Sequence, residues 1–157
     1  MKNKKEKTIC INNNIKVVFK ISLSDEKILD KQEDLIAYGT DASLLEAFPS
    51  VVVLVFNEED LRNAVSVCVE NQLKFVMRGK ATGYTGGCVP KEKAVVISTE
   101  NWKGVIEFDE IKETAVFAPG TTISEINNFG SKYDLFFPPD PISKEHCSIG
   151  GAISENS

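Results

Sequence analysis

A strand–helix–strand pattern between residues 50 and 77 constrains the fold of this chain more than any other feature. Residues 51–55 are all aliphatic, which is typical of a strand that is buried on both faces of a sheet. Asn57 is a favourable helix N-cap, and the acidic residues after it suit the positive end of the helix dipole. Residues 74–77 then read as a second strand. The pattern predicts a parallel pair of strands joined by a crossover helix.

Local patterns predict the other elements. The helix after Asn57 should bury one apolar stripe, made of Leu61, Ala64, Val65, Cys68 and Val69. Residues 15–23 fit an alternating strand and an amphipathic helix equally well. The remaining predicted elements are, in chain order, a short helix at 31–38, a third strand at 94–99, a hairpin at 102–119, and a short helix from the capping box of Thr122 and Glu125 to about Tyr133.

A glycine-rich loop, residues 78–90, directly follows the second predicted strand and is called the glycine loop below. Its four glycines let backbone N–H groups approach an anionic ligand, and ligands of open α/β sheets bind at the carboxyl ends of strands. The loop lacks the Lys-Ser/Thr pair of a P-loop and the Gly-x-Gly-x-x-Gly spacing. On spacing alone, a phosphate-binding loop and an ordinary glycine-rich turn are equally good interpretations.

Composition excludes several classes of function. A chain of 157 residues suits one domain, and its net charge of −5 argues against a nucleic-acid partner. No apolar run approaches the roughly 18 residues of a membrane span. The four cysteines have no Cys-x-x-Cys spacing, which argues against a metal site and fits reduced thiols. We therefore expect a cytoplasmic protein whose first fourteen residues form a flexible arm.

Five segments, in order, resemble the PCMH-type FAD-binding domain of the vanillyl-alcohol oxidase superfamily. The glycine loop from Met77 to Pro90 resembles the family run Pro-Arg-Gly-x-Gly-Thr-x-x-x-Gly-Gly-x-x-Pro. Residues 38–43 resemble the family's entry motif and are called the entry segment below. Residues 116–120 resemble its Val-x-Pro-Gly turn. Residues 135–141 and 147–156 together resemble its second flavin segment. Within the superfamily, the chain looks most like the glycolate oxidase D-subunit and D-lactate dehydrogenase group.

The resemblance implies an α+β fold in two parts with FAD between them. Residues 1–23 would form an arm and an uncertain element. A small parallel subdomain would follow over about residues 24–100, and a mainly antiparallel subdomain would begin at residue 101. The family continues with further strands and a substrate-binding cap. We therefore expect an FAD domain that is incomplete at its C-terminus and inactive alone, with open strand edges that a partner or a second copy could pair with.

The resemblance also implies a set of FAD-binding residues and no catalytic residue. The pyrophosphate would lie against Arg78, Gly79, Lys80, Ala81, Thr82, Gly83, Gly86 and Gly87; the flavin and ribityl side would lie against Pro139, Asp140, Ser148, Gly150, Gly151 and Asn156. On residue type alone, Arg78 suits a phosphate and a local carboxylate equally well. Ala81 replaces a family glycine, which costs on the order of 1 kcal/mol if that position needs a positive φ.

The implied function is the FAD-binding portion of a dehydrogenase for small 2-hydroxy acids of the glycolate or D-lactate type. Thr82 stands where some relatives carry a flavin-linking histidine, so we expect non-covalent FAD. His146 should be solvated, and Cys68 and Cys147 should serve packing. The alternative is a non-catalytic or degenerate FAD-domain module that a partner chain completes.

Overall fold

The computed structural model describes residues 15–91 and 93–157, so the predicted flexible arm lies outside the described residues. The strands are β1 Ile28–Leu29, β2 Val51–Leu54, β3 Phe75–Arg78, β4 Val95–Ser98, β5 Val105–Asp109 and β6 Thr114–Phe117. The α-helices are α1 Gln32–Ala37, α2 Glu58–Glu70, α3 Ile123–Gly130 and α4 Ile149–Glu155. Two 3-10 helices, Asp25–Lys27 and Ser131–Tyr133, complete these elements. Residues 15–19 are helical, which resolves the ambiguity between helix and strand.

The first sheet has four strands in the order β1-β2-β4-β3. The strands β2, β4 and β3 run parallel, and β1 pairs antiparallel with β2. The expectation of a directly paired β2 and β3 is wrong, because β4 lies between them. All four residues of β4 are buried, as a central strand covered on both faces requires. The short strand β1 gave no periodic signal in the sequence.

Helix α2 crosses between β2 and β3, as predicted. Asn57 caps it by accepting a hydrogen bond from the N–H of Asp60 at 2.8 Å. Ala64 and Cys68 are buried against the sheet, as expected for the apolar stripe. Val69, however, is 65% exposed, and Val67 takes its place in the core because it lies one turn from Ala64 on the buried face.

The second part of the chain begins with the predicted hairpin. Strands β5 and β6 pair antiparallel with an irregularity between Val105 and Glu107. Helix α3 carries the complete capping box of Thr122 and Glu125. Four aromatic rings join the hairpin to α3 and the turn after it, with centroids 4.5–5.7 Å apart: Phe108, Phe117, Phe129 and Tyr133. These contacts explain why an otherwise exposed two-stranded sheet holds its place.

Helix α4 was not expected from the sequence, because two of its first three residues are glycines. Its entry is fixed by neighbouring backbone: the N–H of Ile149 donates to Thr121 O at 2.8 Å, and the N–H of Gly150 donates to Pro119 O at 3.0 Å. A Cβ on Gly150 would lie 2.9 Å from Pro119 Cβ, so glycine is needed for this close approach. In the described part of the chain, no helix is long and apolar enough to cross a membrane.

Candidate functional site

The glycine loop leaves the carboxyl end of β3, where Arg78 stands beside Ser98 at the end of β4. Two loop residues have backbone in the left-handed region, Ala81 with φ +55° and Gly86 with φ +74°. Position 81 does need a positive φ, so the steric cost considered for Ala81 is present: an alanine occupies a conformation that favours glycine. The loop turns sharply at both points and stays at the surface over most of its length.

Arg78 contacts backbone carbonyls next to the loop rather than the local carboxylate considered from its residue type. Its guanidinium is buried, donates to Thr40 O at 2.6 Å and Ala37 O at 3.4 Å, and lies 5.3 Å from the centre of the Tyr38 ring. Among the described contacts, its partners are carbonyl oxygens, the Cys88 sulfur and this ring rather than a carboxylate. Arg78 thus fixes the residues next to the loop to the end of β3.

The glycine loop and helix α4 lie side by side, although they are far apart in the sequence. A Cβ on Gly79 would lie 2.5 Å from Ser148 Oγ, and one on Gly87 would lie 2.7 Å from Glu155 Oε1. Thr85 Oγ1 donates a hydrogen bond to Glu155 Oε2 at 2.7 Å. The fold therefore brings together the two segments that were expected to bind FAD. Thr85 and Glu155 were missed in that expectation, because their contact depends on an unforeseen helix.

The entry segment contacts the loop from another side. The N–H of Ala42 donates to Gly83 O at 3.2 Å. The side chain of Leu45, which follows this segment, lies 2.6 Å from where a Cβ on Gly86 would be. Asp41 accepts hydrogen bonds from the N–H and the hydroxyl of Ser43, which shapes the turn. The glycine loop thus lies between the entry segment and α4.

An apolar cavity of about 220 Å³ adjoins α4 and contains two of the expected flavin-side residues, Pro139 and Asn156. Its lining residues are Ile123, Phe137, Pro139, Pro141, Ile149, Ala152, Ile153, Asn156 and Ser157. Asn156 ends α4 with φ +55°. Asp140 does not line this cavity and is exposed, with its carboxylate 2.8 Å from Lys144 Nζ. Gly151, in the first turn of α4, faces the side chain of Ser148, the residue that precedes the helix.

Two ionisable groups near the loop, Tyr38 and Cys88, have raised pKa values. Burial, together with a hydrogen bond to Glu100, raises the pKa of Tyr38 well above its usual range. Burial also raises the pKa of the Cys88 thiol above its usual value, so the thiol stays protonated at pH 7. Cys68 and Cys147 are buried in apolar clusters, and His146 is exposed, as expected. In the described residues, no cluster of three or more potential ligands could hold a metal ion.

Comparison with known proteins identifies the family. The family model described as an FAD binding domain matches residues 49–157, more than half of the chain. The chain belongs to this family. The match begins just before β2 and includes the glycine loop, the hairpin and α4, but not the entry segment.

The curated relatives include enzymes for hydroxy acids. The glycolate oxidase subunit GlcD of Escherichia coli (strain K12) is 32% identical over 132 residues, which are 83% of this chain and 26% of that protein. GlcD of Bacillus subtilis (strain 168) is 33% identical over 134 residues, 84% of this chain and 28% of that protein. A D-lactate dehydrogenase of Archaeoglobus fulgidus is 33% identical over 107 residues, 68% of this chain and 24% of that protein. The chain therefore spans about a quarter of the length of these relatives.

Solved structures show the same fold at lower identity. The chain matches an alkyldihydroxyacetonephosphate synthase with a TM-score of 0.84 at 19% identity, over 92% of this chain and 32% of that one. It matches p-cresol methylhydroxylase with a TM-score of 0.77 at 20% identity, over 90% of this chain and 28% of that one. The resemblance to PCMH-type FAD-binding domains and the expected α+β fold class are confirmed.

Proposed function

We propose that this chain binds FAD non-covalently, with the glycine loop along the diphosphate and the second flavin segment along the ribityl chain and ring. The observation that carries the proposal is the contact of the loop with α4 through Gly79 and Ser148. Small residues on the loop leave backbone N–H groups accessible to a diphosphate, which needs several donors at close range. The cavity beside α4 contains Pro139 and Asn156, two of the residues expected on the flavin side.

The proposed binding residues are drawn from those expected from the resemblance, and they lie on the glycine loop and on or beside α4. Gly79, Gly83, Gly86 and Gly87 give close backbone approach, while Lys80 and Thr82 offer polar side chains on the same loop. Ser148, Gly150, Gly151, Asn156 and Pro139 lie on or beside α4. Arg78 acts indirectly, by holding the start of the loop. The Asp140 carboxylate is paired with Lys144 and contacts the cofactor only when this ion pair opens. The proposed boundary between the two subdomains falls near residue 100, between β4 and β5.

We also propose that this chain is the FAD-binding portion of an oxidoreductase for 2-hydroxy acids. The relatives named above include a glycolate oxidase subunit and a D-lactate dehydrogenase, which supports this substrate class. The chemistry that FAD supplies when bound is acceptance of a hydride equivalent from the carbon that carries the substrate hydroxyl. This chain's residues would bind and orient the cofactor. We assign none of them a role in proton transfer, and we propose a cytoplasmic location from the free thiols.

Titration with FAD tests the binding and its non-covalent character together. We expect the purified chain to bind one FAD and to show a flavin absorption band. Because Thr82 and the buried Cys147 offer no tether, acid precipitation should then release all of the flavin into the supernatant. A chain that binds no FAD contradicts the proposed function, whereas flavin that stays with the precipitate contradicts only its non-covalent character.

Ala81→Gly should tighten FAD binding by up to about tenfold, equivalent to about 1.4 kcal/mol. Ala81 has φ +55°, and glycine adopts this conformation without the steric cost of a Cβ. Glu113→Gly is the matched control, since Glu113 has φ +53° in the hairpin turn, away from the loop. Only Ala81→Gly should change the FAD dissociation constant, whereas Glu113→Gly should leave it unchanged. An unchanged constant would show that the loop conformation does not limit affinity.

A second candidate function is a non-catalytic FAD-domain module that a partner chain completes. The strained backbone at Ala81 favours it, because strain in the loop lowers cofactor affinity. Among the described residues, no strand pairs with the outer edge of β3, and its residues Phe75 and Met77 are each 40% exposed, which suits pairing with another strand. Sedimentation over a range of concentrations separates the candidates: self-association without FAD binding favours the module, and FAD binding by a monomer favours the enzyme portion.

A further inference from the structure

One hydrogen bond ties the middle of the glycine loop to the last residue of α4. Thr85 Oγ1 donates to Glu155 Oε2 at 2.7 Å, and both side chains are otherwise exposed. Neither residue was among the expected cofactor-binding residues. The bond joins two segments that are seventy residues apart. It therefore fixes the position of the loop relative to α4, which hydrogen bonds within either segment cannot do.

The glycines of the loop leave the space that the Glu155 carboxylate occupies. A Cβ on Gly87 would lie 2.7 Å from Glu155 Oε1, and one on Gly83 would lie 3.7 Å from the Glu155 carboxyl carbon. On its other side the loop is held by the bond from Ala42 N–H to Gly83 O. Residues 83–87 are therefore held from two sides, by the entry segment and by Glu155.

We propose that Thr85 and Glu155 are positioning residues that hold residues 83–87 in the backbone geometry that binds an anionic ligand. This inference rests on the proposed function, in which that ligand is the diphosphate of FAD. Ordering a surface loop costs conformational entropy, and a loop that is already held loses less on binding. A hydrogen bond to a carboxylate is stronger than a neutral one, which suits this task.

The negative charge of Glu155 works against an anionic ligand, so its benefit must come from the hydrogen bond. Glutamine at this position keeps an oxygen that accepts from Thr85 and removes the charge. Alanine removes both. Valine at position 85 keeps the shape of threonine and removes the hydroxyl, while serine keeps the hydroxyl. These two pairs of variants separate the hydrogen bond from charge and from volume.

FAD titration of the full chain gives the first readout. Thr85→Val and Glu155→Ala should each weaken FAD binding by about threefold to tenfold, because both groups are exposed and the bond is of moderate strength. Thr85→Ser and Glu155→Gln should bind within about twofold of the parent or more tightly. The inference is overturned if Thr85→Val and Glu155→Ala bind as tightly as the parent, or if Glu155→Gln is as weak as Glu155→Ala.

Hydrogen exchange of the full chain without added ligand gives a readout that does not depend on FAD. Exchange in residues 79–90 should be faster in Thr85→Val and Glu155→Ala than in the parent, and should match the parent in Thr85→Ser and Glu155→Gln. Equal exchange in all five proteins overturns the inference. A parent that fails to bind FAD, together with the expected exchange pattern, overturns the proposed function and leaves the positioning role of the two residues supported.

Discussion

Replacing Gly87 by valine is expected to weaken FAD binding by about a hundredfold or more while the chain stays folded. The nearest atom to a new Cβ is Glu155 Oε1 at 2.7 Å, the free end of an exposed side chain that can move away. The fold therefore tolerates the change. The branched side chain would displace the Glu155 carboxylate and restrict the loop backbone, so that the loop no longer presents its N–H groups to the diphosphate. Flavin titration measures the loss, and far-UV circular dichroism reports the fold.

Two comparison variants sharpen this prediction. Gly86→Val should weaken binding at least as much, but with a loss of stability, because Gly86 has φ +74° and a Cβ there would lie 2.6 Å from Leu45 Cδ1. Thr114→Val places the same side chain on the exposed face of β6 and should leave both binding and stability unchanged. Binding by Gly87→Val that equals that of the parent would show that the loop is not the diphosphate site.

Replacing Ile97 by alanine should lower the free energy of unfolding by about 2–5 kcal/mol. Ile97 lies on the central strand β4, is fully buried, and packs in the same apolar cluster as Val53 and Cys68. Removing its larger side chain leaves a cavity under α2 that the surrounding strands cannot close. Thermal or denaturant unfolding measures the effect.

Met77→Ala is the matched control, since Met77 lies directly beside Ile97 in the sheet register, on the edge strand β3. Met77 is 40% exposed, so its truncation removes less buried surface and should cost less than about 1.5 kcal/mol. Equal losses from the two variants would contradict the strand order that places β4 in the centre and β3 at the edge.

Elements with strong local signals could be predicted from the sequence. The aliphatic run of β2, the Asn57 cap of α2 and the capping box of α3 each lie within a few residues, and each formed as predicted. The cores of β3 and β4 were also located correctly. Their order in the sheet was not, because it depends on which strand is covered on both faces, and this is decided by packing between distant segments.

In the candidate site, too, the segments could be predicted from the sequence, but the contacts between them could not. Its segments could be identified from the family resemblance, and the fold brings the glycine loop against α4. The role of Arg78 and the contact of Thr85 with Glu155 could not be predicted, because each depends on a partner thirty-eight or seventy residues away. The signal for α4 was hidden by Gly150 and Gly151, which have low helix propensity; Gly150 is needed for the close contact with Pro119.

Hydrogen exchange with and without saturating FAD tests most directly the claim that the glycine loop and the second flavin segment form one cofactor site. The account predicts that FAD slows exchange in residues 78–90 and in residues 147–156 together, with little change in α2. Protection confined to one of these segments, or protection that appears elsewhere in the chain, would contradict it.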